Sequence, residues 1–185
     1  MSITATEPTA ITANPVLRAI ADRRSVRGYS PKPITQDQLD ALLAAAVQSP
    51  SAMNRQPWHF SVVQNPAILS RINAEVSKAM NKDVGDVFHG APCCVFLSCE
   101  PDARWSRLDC GIATENIAIA AQGLGLGSVI LGMPEAAFTG PNGGELNAML
   151  KFPPTYKFAV AIAVGVPAVT KEAHPLLADR IDYID

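Results

Sequence analysis

Residues 109–128 read DCGIATENIAIAAQGLGLGS. The run IATENIAIAA is apolar or small almost all the way round, so the pattern predicts a helix buried on most sides, in a core or in a subunit interface. Asp109 stands where a cap would open that helix, which runs to Gln122. Glycines follow at 123, 125 and 127. They imitate the dinucleotide-binding pattern G-x-G-x-x-G, but the third glycine is misplaced. The order is also reversed: helix, glycines, strand. They read instead as a helix end that needs positive φ, leading into a closely packed strand over 126–131.

Outward from this stretch, helices alternate with strands. PVLRAIAD (15–22) predicts a short helix with Pro15 at a tolerated early position. Thr35 and Gln38 form a capping box for a helix reaching about Gln48, which Pro50 stops. Strands are expected at 58–64, 93–99, 126–131 and 158–166, with a helix over 67–80 and a short one ending near Leu150. CCVFLSC (93–99) is apolar throughout and predicts a strand buried on both faces. Four strands are a thin sheet for this much apolar helix, which predicts that the core is completed by dimerisation.

The 185 residues suit one domain, preceded by a Thr- and Ala-rich arm over 1–14 that lacks the marks of a secretory signal. The net charge of −2 gives no general attraction to nucleic acid or membrane, and no apolar run approaches a membrane span. Four cysteines without C-x-x-C spacing predict buried thiols, no metal site and a reducing, cytoplasmic setting.

Two segments carry chemistry. Arg23-Arg24-Ser25-Val26-Arg27 gathers three guanidiniums and a hydroxyl, a set suited to a phosphate and equally to a helix C-terminus. SPSAMNRQPW (49–58) is a polar loop between two prolines that can present Ser, Asn and Gln side chains to a flavin or purine edge, or serve as an ordinary turn anchored by Trp58. His59, His89 and His174 fall into no triad pattern, and paired carboxylates are absent. A chain without nucleophile, acid pair or metal set is expected to borrow its chemistry from a cofactor.

Taken in order, RRSVRGY (23–29), SPSAMNRQPWHF (49–60), APCCVF (91–96), DCGIATENIAIAAQGLGLGS (109–128) and AVAIAVGVPA (159–168) resemble the nitroreductase family of FMN enzymes, over roughly residues 15–184. The resemblance implies an α+β fold with three α/β/α layers. Its mixed central sheet would be flanked by helices and completed by the partner subunit's C-terminal tail. Residues 15–185 would form a single FMN-binding domain in an obligate homodimer, with FMN sites at the interface. Arg23 and Ser25 would hold the FMN phosphate and ribityl end, helped by Arg24, and Arg27 would lie near N1 and O2 of the ring. Pro50, Ser51, Ala52 and Asn54 would come from the other subunit. Ile130, Leu131 and Gly132 would lie along the ring, with the backbone near Gly132 facing N5. Where many members carry Pro-x-Glu-Gly, this chain reads ILGM. Lys171 is preferred over His174 and Arg180 as the tail's phosphate ligand.

The implied activity is ping-pong transfer of hydride from NAD(P)H through flavin N5 to a nitroaromatic, quinone or flavin acceptor. The alternatives are a specialised flavin reaction on the same fold (dehalogenation, flavin breakdown or heterocycle oxidation) and a non-enzymatic flavin-binding protein.

Overall fold

Asn14 ends the predicted arm by capping the first helix: its side-chain oxygen accepts from the N–H groups of Val16 and Leu17. The computed structural model describes residues 13–173 and 180–184. Most of the arm, and the 174–179 part of the tail with His174, lie outside the described residues, as does any judgement on the tail's expected role in a partner's sheet. Helix α1 spans Pro15–Asp22. Helix α2, Gln36–Val47, opens on the predicted capping box. Thr35 Oγ1 accepts from the Gln38 N–H at 3.2 Å, and Gln38 Oε1 accepts from the Thr35 N–H at 3.0 Å.

The four strands fall where the apolar runs place them: β1 Trp58–Val63, β2 Cys93–Cys99, β3 Gly127–Leu131 and β4 Lys157–Gly165. They form one sheet in the order β1-β2-β4-β3, and all three pairings are antiparallel. The parallel component expected of a mixed sheet is confined, among the described residues, to an isolated bridge between Ser25 and Ser128.

All seven residues of β2 are buried. Alternation along the strand sends Cys94 and Phe96 to one face, with Ile72 and Val76 of α3 (Pro66–Ala79) and Phe138. Cys93, Val95 and Leu97 go to the other, with Leu42 of α2 and Ile117 of the helix that follows β2. The molecule therefore has helices on both faces of the sheet, the three layers that the resemblance implies. Phe138 belongs to α5, Glu135–Thr139, and stacks on Phe158 at 4.8 Å and Phe152 at 5.5 Å. With five residues, α5 is too short to show a helical period, so the sequence pattern does not reveal it. The expected short helix is α6, Gly143–Met149.

Helix α4, Ser106–Gly123, begins one turn before the expected cap. Ser106 Oγ reaches back to the carbonyls of Glu100 and Ala103, at 2.6 and 2.9 Å, and fixes that earlier start. Asp109 thus sits inside the first turn, buried, and its carboxylate is free for another task. The far end behaves as the glycines predict. Gly125 adopts φ +72°, the Leu126 N–H donates to Ala121 O at 2.8 Å, and the Gly125 N–H donates to Gln122 O at 3.1 Å. These are the two bonds of a Schellman end.

Helix α4 is covered in part within the one chain. Eight residues of α4, Ile117 among them, are buried within the one chain. Leu108 of α4 stands exposed, and further apolar surface is uncovered on α1, which buries no residue at all and leaves Val16, Leu17 and Ile20 exposed.

Candidate cofactor-binding site

The segment after α1 runs extended along the sheet. The Val26 N–H donates to Ser128 O at 2.9 Å, and further on Ser30 N–H donates to Val166 O and Ala168 N–H to Gly28 O. Extended backbone alternates its side chains. Val26 turns inward onto Gly127, where even a Cβ would stand 2.8 Å from Val26 Cγ2. Arg23, Ser25 and Arg27 have the opposite parity to Val26.

The three arginines differ in what they hold. Arg23 Nε lies 3.6 Å from Glu115 Oε1 on α4, a long contact between partly exposed groups. Arg24 turns back: its Nη1 donates to Ala21 O at 2.7 Å and Arg23 O at 2.8 Å, satisfying the last carbonyls of α1. The helix-capping reading thus describes the Arg24 side chain. Its Nε is buried and has no partner. Arg27 is exposed and makes no ion pair among the described residues. Its charge reaches Tyr29 and His89. Burial pushes the Tyr29 hydroxyl pKa well up, against the pull of Arg27. Burial and then Arg27 lower the pKa of His89, which stands in a left-handed turn at φ +58°. The Asp86 carboxylate shapes that turn by accepting from the N–H groups of Phe88 and Gly90.

The loop at 49–57 is held by other means. Buried Asp109 Oδ1 accepts from the Ala52 N–H at 3.1 Å, and Asn116 Nδ2 donates to Ser49 Oγ at 2.8 Å. Within the loop Ser51 Oγ accepts from the Gln56 N–H, and Gln56 Nε2 donates to Asn54 Oδ1 at 2.9 Å. Met53, Asn54 and Gln56 all have positive φ, a conformation costly for side-chain-bearing residues. Pro50, Asn54 and Met53 face solvent. Within one chain no hydrogen bond or ion pair joins this loop to Arg23–Arg27 among the described residues. Helix α4 stands between, with Glu115 serving one and Asp109 and Asn116 the other.

Comparison with known proteins gives this arrangement a context. A profile of the nitroreductase family matches residues 20–166. The chain belongs to the nitroreductase family. A nitroreductase from Desulfitobacterium hafniense, solved with bound FMN, superposes with a TM-score of 0.88 at 31% identity, covering 93% of this chain and 99% of that one. The FMN reductase [NAD(P)H] of Bacillus subtilis is 28% identical, across 89% of this chain and 70% of its own length. A protein from Methanothermobacter thermautotrophicus, described as a candidate NADH dehydrogenase/NAD(P)H nitroreductase, is 38% identical over 124 residues. The match spans 61% of that relative's length.

The remaining expected residues of this nitroreductase-family chain fall as follows. Ile130 is exposed on β3 and Gly132 follows it into solvent, so both offer an open surface. Leu131 points into the core, 7% exposed, and leaves only its backbone to a ligand. Lys171 is exposed, three residues past Ala168, which is bonded to Gly28. That places it within about 10 Å of chain reach of the arginine segment. The sequence pattern misses the supporting residues Glu115, Asn116 and the buried carboxylate of Asp109. The first two resemble ordinary helix-surface residues, and the last resembles a cap.

The donor set fits a phosphorylated flavin. Arg23, Ser25 and Arg27 lie within five residues of one backbone-held segment, two of them charged forks of the kind that binds phosphate and carbonyl oxygens. The described residues hold no cluster of potential metal ligands, and none of their helices is long and apolar enough to cross a membrane.

Proposed function

We propose that this protein is an FMN-dependent oxidoreductase that takes hydride from NAD(P)H and reduces an electron-poor acceptor by a ping-pong mechanism. The carrying observation is the Arg23, Ser25, Arg27 set on a segment pinned to the sheet by the Val26–Ser128 bond and the Val26–Gly127 contact, in a chain of this family. When bound, FMN supplies the hydride-accepting and electron-donating chemistry. Arg23 and Ser25 would take the phosphate and ribityl end, with Lys171 from the tail. Arg27, an exposed guanidinium without a carboxylate partner among the described residues, would balance the negative charge that reduction places at the pyrimidine end of the ring. A fixed cation in a water-poor site does this without reorganisation at the moment of reaction. Arg24 contributes by closing α1 and so holding Arg23 in place. Gly132 and Ile130 would line the ring, and the backbone near Gly132 would face N5.

The second half of the site is read as coming from a partner copy: Pro50, Ser51, Ala52 and Asn54, presented by the strained loop. Support comes from α4 standing between the two clusters within one chain and from the uncovered apolar face of α1. Stable obligate interfaces commonly bury about 2,000–5,000 Å². The visible spectrum of the purified protein tests the whole reading. It is expected to show one flavin per chain, bleached by NADH or NADPH and restored by a quinone or nitroaromatic. Folded protein that takes up no FMN at micromolar concentration would falsify it. Sedimentation is expected to show a dimer, and a stable folded monomer would remove the shared-site half of the proposal.

A further inference from the structure

Against the 49–57 loop lies a recess of about 180 Å³, between residues 52–57 and 103–106. It shares only Ala52 with the residues assigned above to FMN. Trp105, 46% exposed, lines it together with Arg104 and Arg55. The Arg104 guanidinium lies over the Trp105 ring, 4.6 Å from its centroid. That cation–π contact restrains the arginine fork at the recess. Among the described residues neither Arg55 nor Arg104 has an ion-pair partner. The one carboxylate in the lining is Asp109, which is buried and accepts from the Ala52 N–H.

The chemistry of the recess is therefore an aromatic wall beside two uncompensated guanidiniums. Such a pair of forks suits a carboxylate, and the indole suits a flat ring. Clefts for drug-sized ligands run to roughly 300–1,000 Å³. This smaller space takes one substituted ring and not a dinucleotide. Asp109 pins Ala52, so the recess adjoins the loop assigned above to the flavin.

We propose that this recess anchors an aromatic carboxylate, and that the protein's preferred electron acceptor is an aromatic ring carrying a negative charge held by Arg55 and Arg104. The acceptor role rests on the FMN reading above, whereas the binding claim rests on the recess alone. Two matched probes separate them: 4-nitrobenzoate, and nitrobenzene as its neutral counterpart. In ligand-observed NMR with the purified protein, 4-nitrobenzoate is expected to bind more tightly than nitrobenzene. Arg55→Gln and Arg104→Gln should each weaken 4-nitrobenzoate by up to about fivefold, the scale of an exposed ion pair. The double variant should lose more, and Arg104→Lys should keep part of the binding. In turnover with NADH, the same variants should raise KM for 4-nitrobenzoate and leave kcat, menadione reduction and the flavin spectrum at parental values.

Equal binding of the two probes by the parent protein would overturn the proposal. So would equal loss of both in the variants, or a KM change for NADPH alone, which would make the recess a nucleotide-phosphate site. Arginine-dependent binding of 4-nitrobenzoate by protein that holds no flavin would sink the FMN reading and the acceptor role, while the anion site itself would stand.

Discussion

Segment 23–30 and loop 49–57 are both short, polar and assigned to one cofactor, yet they are built on different principles. The first is held by its backbone. Bonds from Val26, Gly28 and Ser30 tie it to Ser128, Ala168 and Val166, and its side chains then alternate by geometry alone. The second is held by side chains of α4, Asp109 and Asn116, and stores three left-handed residues. A backbone-held segment tolerates loss of any one outward side chain. A side-chain-held loop depends on its anchor.

That contrast breaks most sharply at Asp109. Asp109→Ala removes the acceptor of the half-buried Ala52 N–H, which costs about 1–3 kcal/mol, and releases the strained loop. Both the melting temperature and FMN affinity should fall, with Asp109→Asn recovering part of each. Unchanged FMN affinity in a destabilised Asp109→Ala protein would detach the loop from the cofactor. In the other region, Arg23→Ala should weaken FMN by roughly 10- to 150-fold, a charge-assisted contact of about 1.5–3 kcal/mol. Its melting temperature should hardly move, because the Glu115 contact is long and partly exposed. Normal FMN titration with early melting would return Arg23 to a purely structural role.

Gly127→Ala attacks the backbone-held segment from beneath. The added carbon would meet Val26 at 2.8 Å. Overpacking of this kind costs about 1–3 kcal/mol, and displacement of Ser25 should weaken FMN alongside it. Arg27→Ala is expected to leave FMN occupancy intact at saturating flavin while lowering the reduction potential and slowing hydride transfer. Arg27→Lys should keep part of the effect. Spectroelectrochemical titration decides, and a drop in affinity with an unmoved potential would make Arg27 a third phosphate ligand. The smallest effect belongs to Thr35→Ala. Loss of its capping bond should cost about 1 kcal/mol in denaturant unfolding and leave FMN binding untouched, since α2 touches neither cluster's outward side chains.

Features that depend on near neighbours in the chain were legible in the residues. The capping box at Thr35 and Gln38, the all-buried β2 and the left-handed Gly125 each follow from spacing or conformational preference within a few positions. What tertiary structure decided is where polar groups find partners across the fold. Asp109 looked like a cap because an acidic residue before an apolar run usually is one. Ser106 instead starts the helix earlier and frees that carboxylate for a loop 57 positions away. Arg24 looked equivalent to its neighbours, but the end of α1 claims its fork. The long apolar helix suggested a core or an interface; its sheet and α2 bury eight of its residues, Leu108 stays exposed, and α1 adds exposed Val16, Leu17 and Ile20. Local sequence fixes dihedrals and periodicity. Which buried acceptor meets which donor depends on distances that exist only once the layers have packed.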